Sequence, residues 1–239
     1  MLCNMLAQTG VAGRPDSFFR QQSIGDWCAD WGITRPFDIR DAAFTQDYFH
    51  AMKREGQGAT PVFGLRLMQS DLAFACNWLA LRHPHKPSNI ACFDAAFGTA
   101  QAGVAYIHLS RQDKLAEAVS YLRAEQSGLW HAQPDGIALE QLPPTAPPGY
   151  DAAAITRHMA DLTASDRRWD AWFAAQNITP LRLSYEGLAA HPRQTLADVL
   201  TYLGQDPAHA STVTPGTRKL ADAVSAAWIA HYRAAYGPT

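Results

Sequence analysis

Arg111 and Ser120 are the two residues whose types and spacing most clearly suggest chemistry. Arg111 follows the apolar segment VAYIHL (104–109), and Ser120 lies nine residues further on, in a segment of helical character. An arginine near the positive end of a helix is unfavourable unless an anion shares the position. The planar guanidinium also suits phosphate. The stretch therefore predicts a phosphate contact, with a solvent-facing arginine and a polar helix serine as the structural alternative.

The two side chains can reach one phosphate in only one kind of geometry. Nine helical residues would separate them by ~13 Å, so Arg111 has to lie at the end of the strand and fold back along the helix. Ser110 and Asp113 fit a capping box at the start of that helix, which gives Ser110 a structural role.

His108 and His131 are the histidine candidates for proton transfer. His108 lies just before the phosphate junction, and His131 follows the sequence GLW. The ordinary pKa of histidine suits a general base, and a packed core or loop histidine is the alternative for each. The chain contains no GxSxG, no GxGxxG and no GxxxxGK[ST] sequence, which counts against a P-loop kinase in particular.

The composition narrows the class of protein. A chain of 239 residues with 47% hydrophobic residues is long enough for one domain with a sizeable core, or for two. The net charge of -2 offers no overall positive field for nucleic acid. No apolar stretch approaches the ~20 residues of a membrane helix, and we expect no metal site. Four cysteines without CxxC spacing indicate free thiols in a cytoplasmic protein: Cys3, Cys28, Cys76 and Cys92.

Short apolar segments alternate with helical patterns along the chain. The predicted strands are VFGLRL (62–67), VAYIHL (104–109) and TPLRLSY (179–185). A helix capped by Ser70 follows the first strand, and a helix ended by Gly128 follows the second. Further helices are predicted near 151–176, before Gly204 and at the carboxyl terminus. This alternation predicts an α/β fold, a three-layer parallel sheet flanked by helices, with ligands at the carboxyl ends of its strands.

Several segments resemble sulfotransferases that use 3′-phosphoadenylyl sulfate (PAPS). An arginine after a strand followed by AVSY resembles their 3′-phosphate motif, and LRLSYEGLAAHP resembles their YEDL…DP segment. An ordered set of segments over nearly the whole chain resembles the bacterial trehalose 2-sulfotransferase family: TGVAGRPDSFF, FGLRLM, DKLAEAVSYLRAEQSGLW, RRWDAWFAAQNI and RKLADAVSAAWIAHYRA. The resemblance implies one P-loop NTPase-like sulfotransferase domain over 1–239. It also implies sulfuryl transfer from PAPS to a hydroxyl of a carbohydrate or other small alcohol, and a homodimer.

The resemblance assigns the donor side of the site. It implies that Arg111 and Ser120 bind the 3′-phosphate of PAPS and that Arg218 and Lys219 approach the nucleotide, with surface charge as their alternative. Arg66 replaces the family's usual lysine and would neutralise charge near the transferring group. A salt bridge is the alternative role for Arg66.

The GRPDSFFR segment would form the acceptor side. The family's glutamate base falls on Ser17, which cannot serve as an ordinary base near neutral pH, and Asp16 is its neighbour. An acidic residue that contacts trehalose in the family falls on Arg14. These two departures make trehalose itself doubtful and favour another hydroxyl acceptor, one carrying negative charge.

Aromatic and basic residues complete the expected acceptor site. Phe18, Phe19 and Trp27 could stack on a sugar, although aromatic residues usually serve packing. Arg20 closes the same segment and is a further candidate contact with the acceptor.

The opening MLCNMLAQTG predicts a helix, because Leu2, Met5 and Leu6 fall at helical spacing. In the resembling family, a buried strand and a loop similar to QRSGSTLL precede this helix and cradle the 5′-phosphosulfate. We therefore expect the chain to lack that strand and loop and to be catalytically impaired or poorly folded, unless its true start lies upstream. A degenerate, non-catalytic relative that binds a sugar or a protein partner is the alternative function.

Overall fold

A computed structural model describes residues 1–99, 103–132, 138–141, 148–214 and 223–237. The α-helices are α1 Leu2–Gln8, α2 Ile24–Trp31, α3 Ala42–Gln57, α4 Gln69–Arg82, α5 Asn89–Phe97, α6 Lys114–Ser127, α7 Ala152–Ala175, α8 Tyr185–Ala190, α9 Pro192–Tyr202 and α10 Ala223–Tyr236. The strands are β1 Ile107–Ser110, β2 Leu129–Ala132, β3 Ala138–Gln141 and β4 Leu181–Ser184. Two 3₁₀ turns lie at Gln21–Ser23 and Pro207–Thr212.

β1 and β4 form a small parallel sheet. They pair in register from Ile107 opposite Leu181 to Ser110 opposite Ser184. Helix α6 follows β1, so that predicted strand-to-helix unit is confirmed. Strand β4 confirms a second predicted strand, and helix α8 follows it directly. The described fold is mixed α/β and mostly helical, and the three-layer sheet stays a prediction.

The segment 62–67 is not a strand, contrary to the sequence prediction. Its only ladder contact is an isolated parallel bridge between Asp16 and Leu65, with the Arg66 N–H donating to the Asp16 carbonyl at 3.0 Å. Pro15 has no N–H with which to extend the pairing. Gly64 allows the close approach that was predicted, since a Cβ there would lie 2.6 Å from the Pro15 Cγ. The 13–17 loop is thereby held against the 62–67 segment, which contains Arg66.

Two predicted helix caps are wrong. Ser70 lies inside α4, whose start has no side-chain cap. Ser110 belongs to β1, and Asp113 caps α6 instead, its carboxylate accepting the Ala116 N–H at 2.8 Å. Gly128 ends α6 in the left-handed region at φ 72°, as predicted.

A β-hairpin was not foreseen. Strands β2 and β3 pair antiparallel with register shifts. Neither four-residue strand carries a clear alternation of apolar and polar residues, LWHA in one and ALEQ in the other, so periodicity gave no signal. The sequence analysis also assigned no helix to α3, α5 or α8.

The largest core is aromatic and lies where the 17–31 segment meets α3, α4 and α5. Its bulkiest fully buried members are Phe18, Phe19, Phe44, Tyr48, Phe49 and Trp78. Their rings contact one another edge-on and stacked, for example Phe19 on Trp78 with centroids 5.8 Å apart. This core anchors the segment that was expected to bind the acceptor.

Of two smaller cores, one packs the parallel strands with α1 and α9, and the other packs α6 with α7 and α10. Helix α1 is confirmed, and its Met5 and Leu6 pack with apolar residues of α9. The predicted stripe of α6 is also confirmed, since Leu115, Val119 and Leu122 are buried against α7 and α10. The start of α6, next to Arg111, is therefore rigidly supported.

All four cysteines are free, as predicted from their spacing. Within the described ranges, every helix is too short or too polar to cross a lipid bilayer.

Leu115→Ala should lower the free energy of unfolding by about 2–5 kcal/mol, because Leu115 is only 1% exposed and its truncation opens a cavity in the core. Leu81→Ala is the matched control, since Leu81 is 46% exposed. Urea unfolding of both variants measures the difference. Equal losses in the two variants would contradict the packing described for α6.

Candidate active site

The carboxyl ends of β1 and β4 lie side by side because the two strands run parallel in register. Arg111 follows β1, and Tyr185 follows β4. The Arg111 Cζ lies 4.3 Å from the centroid of the Tyr185 ring, which is cation–π geometry. The sequence prediction that Arg111 lies at a strand end is confirmed.

Glu186 links the two junctions directly. Its carboxylate accepts the Gln112 N–H at 3.1 and 3.2 Å and the Asp113 N–H at 3.3 Å. Burial raises the pKa of Glu186, but these backbone N–H groups and the Arg111 charge outweigh burial, so the pKa is lowered. The Glu186 carboxylate thus holds the loop before α6 from the neighbouring unit.

Arg111 is half-buried, and its Nε has no hydrogen-bond partner among the described residues. A buried N–H of a cation without an acceptor is unfavourable unless a ligand supplies one. Ser120 is half-buried in the second turn of α6. The structure therefore places both predicted phosphate contacts on the unit formed by β1 and α6.

Lys114 ties the start of α6 to α7. Its Nζ lies 2.8 Å from Glu117 Oε2 and 2.7 Å from Asp166 Oδ2. Burial raises the pKa of Glu117, and the Lys114 and Arg111 charges oppose that rise. The region around Arg111 thus contains a second partly buried carboxylate besides Glu186.

The three predicted catalytic residues form a second cluster. The Arg66 Nε donates to the Ser17 Oγ at 2.7 Å, and Ser17 is buried. The Asp16 Oδ1 accepts the Ser17 N–H at 2.6 Å, while Asp16 itself is exposed. Ser17 therefore orients Arg66, and Asp16 retains a carboxylate oxygen toward solvent.

Two residues near Arg66 were missed by the sequence analysis. Asp71 is buried in the first turn of α4, and burial raises its pKa against the charges of Arg20 and Arg66. Cys3, in α1, also has a pKa raised by burial and opposed by Arg66. An acidic residue in a first helical turn is common for structural reasons, so the type and position of Asp71 gave no functional signal in the sequence.

Arg14 and Arg20 differ in their surroundings. Arg14 is exposed, and its Nη1 lies 3.1 Å from Glu55 Oε1. The Arg20 charge acts on Asp71, which places Arg20 with the Arg66 cluster. Of the two predicted acceptor cations, Arg20 is therefore the one that shares a carboxylate neighbour with Arg66.

Phe18 and Phe19 have no exposed ring surface, because both are fully buried in the aromatic core. Phe18 packs against Trp27 and Phe63, and its carbonyl accepts the Tyr48 hydroxyl at 2.7 Å. The structure thus shows the packing role for both phenylalanines and not stacking on a sugar. Trp27 is partly buried in the same core.

His108 is a core histidine in this structure. It is buried on β1, its ring lies 5.5 Å from that of Phe173, and its Nδ1 is 3.2 Å from the Arg182 Nη1. Burial lowers its pKa, and the Arg182 charge lowers it further. The side chain of His131 and the residues Arg218 and Lys219 lie outside the described part of the chain.

Comparison with known proteins identifies the family of this chain. A family model described as Stf0 sulphotransferase matches residues 1–235, so the chain belongs to the Stf0 sulphotransferase family. The chain is 29% identical to the trehalose 2-sulfotransferase of Mycolicibacterium smegmatis, with 98% of this chain and 89% of that protein aligned. It is 27% identical to the trehalose 2-sulfotransferase of Mycobacterium tuberculosis, with 98% and 90% aligned. The resemblance seen in the sequence is confirmed.

Arg182→Gln should raise the pKa of His108, because it removes the positive charge that faces the imidazole. NMR titration of the histidine ring protons, assigned with His108→Gln, measures the change. In the wild type the folded pKa lies below the unfolded one, so His108 costs stability as the pH falls through the ordinary histidine range. An unchanged His108 titration in Arg182→Gln would contradict the described contact.

Proposed function

We propose that this chain transfers a sulfuryl group from PAPS to a hydroxyl of a carbohydrate or other small alcohol. The acceptor oxygen bonds to sulfur, the bond from sulfur to the 5′-phosphate oxygen breaks, and the hydroxyl proton leaves to a base. Family membership supports the reaction class. The observation that carries the proposal is the placement of Arg111 at the carboxyl end of β1, where its guanidinium lies over the Tyr185 ring and its Nε has no hydrogen-bond partner in the described part of the chain.

Arg111 and Ser120 are the proposed contacts for the 3′-phosphate. A guanidinium bonds phosphate oxygens through charge-assisted hydrogen bonds, and a hydroxyl adds a neutral donor. Arg218 and Lys219 remain proposed nucleotide contacts by resemblance. The donor site would then be built on the β1–α6 unit within one domain.

Arg66 is the proposed clamp for charge that develops on the transferring group. Its hydrogen bond to Ser17 removes part of its rotational freedom before the substrate arrives. Asp16 is the proposed base, because an exposed carboxylate oxygen can accept a proton and the Ser17 hydroxyl cannot do so near neutral pH.

The proposed acceptor is a sugar hydroxyl, since both relatives are named trehalose 2-sulfotransferase. Arg14 stands where the resembling family carries an acidic residue, and Arg20 lies with the Arg66 cluster. The exchange of that acidic residue for an arginine favours an acceptor that carries negative charge over neutral trehalose. The fully buried Phe18 and Phe19 have no part in this proposal.

A non-catalytic function is the second candidate. The Ser17 hydroxyl occupies the place of the family's glutamate base and is bound to Arg66. Binding of the desulfated nucleotide PAP without transfer to a panel of neutral and anionic sugars would favour this candidate over the enzyme.

Isothermal calorimetry should detect PAP binding to the wild-type chain, and Arg111→Ala should weaken it about 10- to 100-fold, the loss expected for hydrogen bonds to a charged group. Arg35→Ala is the matched control, because Arg35 is an exposed arginine paired with Asp47. Undetectable PAP binding by the folded wild type would contradict the proposed function. An unchanged affinity in Arg111→Ala would overturn the phosphate assignment alone.

Arg66→Ala should lower kcat about 10²- to 10³-fold, since it removes a preorganised donor for developing charge. Arg66→Lys should recover part of that loss, because it keeps the charge and restores the family's usual residue. Steady-state sulfate transfer to an anionic sugar measures kcat, and PAP affinity should change little in either variant. Wild-type kcat in Arg66→Ala would refute the proposed clamp.

A further inference from the structure

Glu186 joins two strand-to-helix junctions that are neighbours in space but lie 74 positions apart in the sequence. We propose that Glu186 is a positioning residue that sets the loop carrying Arg111 for binding the donor's phosphate. The inference rests on the proposed function, because it assumes that Arg111 binds that phosphate. It assigns a specific task to the glutamate of the YEGL segment.

Two consecutive residues after β4 contact three consecutive residues after β1. Tyr185 lies under the Arg111 guanidinium, and the Glu186 carboxylate accepts the N–H groups of Gln112 and Asp113. The backbone on the carboxyl side of Arg111 and its side-chain tip are thus held by one short segment. Asp113 in turn caps α6 through the Ala116 N–H, so the restraint continues into the helix that carries Ser120.

Preorganisation is the physical benefit of this arrangement. A free arginine loses much rotamer freedom when it binds a ligand, and an arginine ordered beforehand loses less. Hydrogen bonds from backbone N–H groups to an ionised carboxylate are stronger than neutral ones. The loop therefore keeps its shape whether or not an anion is bound.

The same contacts restrict how an anion can bind. The amides of Gln112 and Asp113 already face the Glu186 carboxylate, so they are not available to a phosphate. A second negative charge placed against them would also meet repulsion from Glu186. Phosphate recognition at this junction consequently falls to the Arg111 side chain and not to backbone amides.

Amide hydrogen exchange in the unliganded protein tests the loop restraint. Glu186→Gln keeps the size of the side chain but replaces one acceptor oxygen with a donor, so exchange at Gln112 and Asp113 should quicken about tenfold or more. Glu125→Gln is the matched control, because Glu125 lies near the other end of α6 and pairs with His158. Equal exchange at these amides in the wild type and Glu186→Gln would overturn the proposal.

A double-mutant cycle on PAP affinity tests whether Glu186 acts through Arg111. Glu186→Gln alone should weaken PAP binding about tenfold, and it should add almost nothing in the Arg111→Ala background. Full additivity would overturn the positioning role. If the wild type binds no PAP, the proposed function fails, but the amide exchange rates at Gln112 and Asp113 still test the loop restraint. If Arg111→Ala weakens binding and Glu186→Gln does not, only the positioning role fails.

Discussion

The in-register parallel pairing of β1 with β4 is the constraint on which the donor half of the candidate site depends. It brings the ends of two strands together, so that the Glu186 carboxylate accepts the N–H of Gln112, which lies 74 positions earlier in the chain. A slip of one residue in this pairing would shift the end of β1 along β4 by about 3.3 Å and would break the contact of Arg111 with the Tyr185 ring. Helices α6 and α7 then support the junction through the buried stripe of α6 and the Lys114 ion pairs.

The acceptor half depends on a different constraint, the burial of an aromatic pair. Phe18 and Phe19 insert into the core formed with α3, α4 and α5, and the adjacent Ser17 is drawn inward with them. The close approach of Pro15 to Gly64 fixes the other side of the loop. Packing of apolar rings therefore positions the polar contact between Ser17 and Arg66, although neither ring faces the site.

The amount that could be predicted from the sequence differed between elements. Strands β1 and β4 and helices α6, α7 and α9 follow apolar runs and helical periodicity with clear ends, so they were found. The 62–67 segment has the apolar composition of a strand, but its neighbour is a loop containing Pro15, which cannot continue a ladder. The β2–β3 hairpin has no periodic signal. Ser70 and Ser110 are not caps because the helices begin elsewhere, α4 at Gln69 and α6 at Lys114.

The sequence by itself determined the family, and it nominated Arg111, Ser120 and Arg66 as site residues and Arg14 and Ser17 as departures from the family pattern, because these are matters of residue type in an ordered set of segments. Only the tertiary structure decided what surrounds them. Glu186 meets the loop of Arg111, and Ser17 meets Arg66 across 49 positions, through strand pairing and core packing. Contacts at such separations depend on how distant segments fold together, and local propensity and spacing contain no information about that.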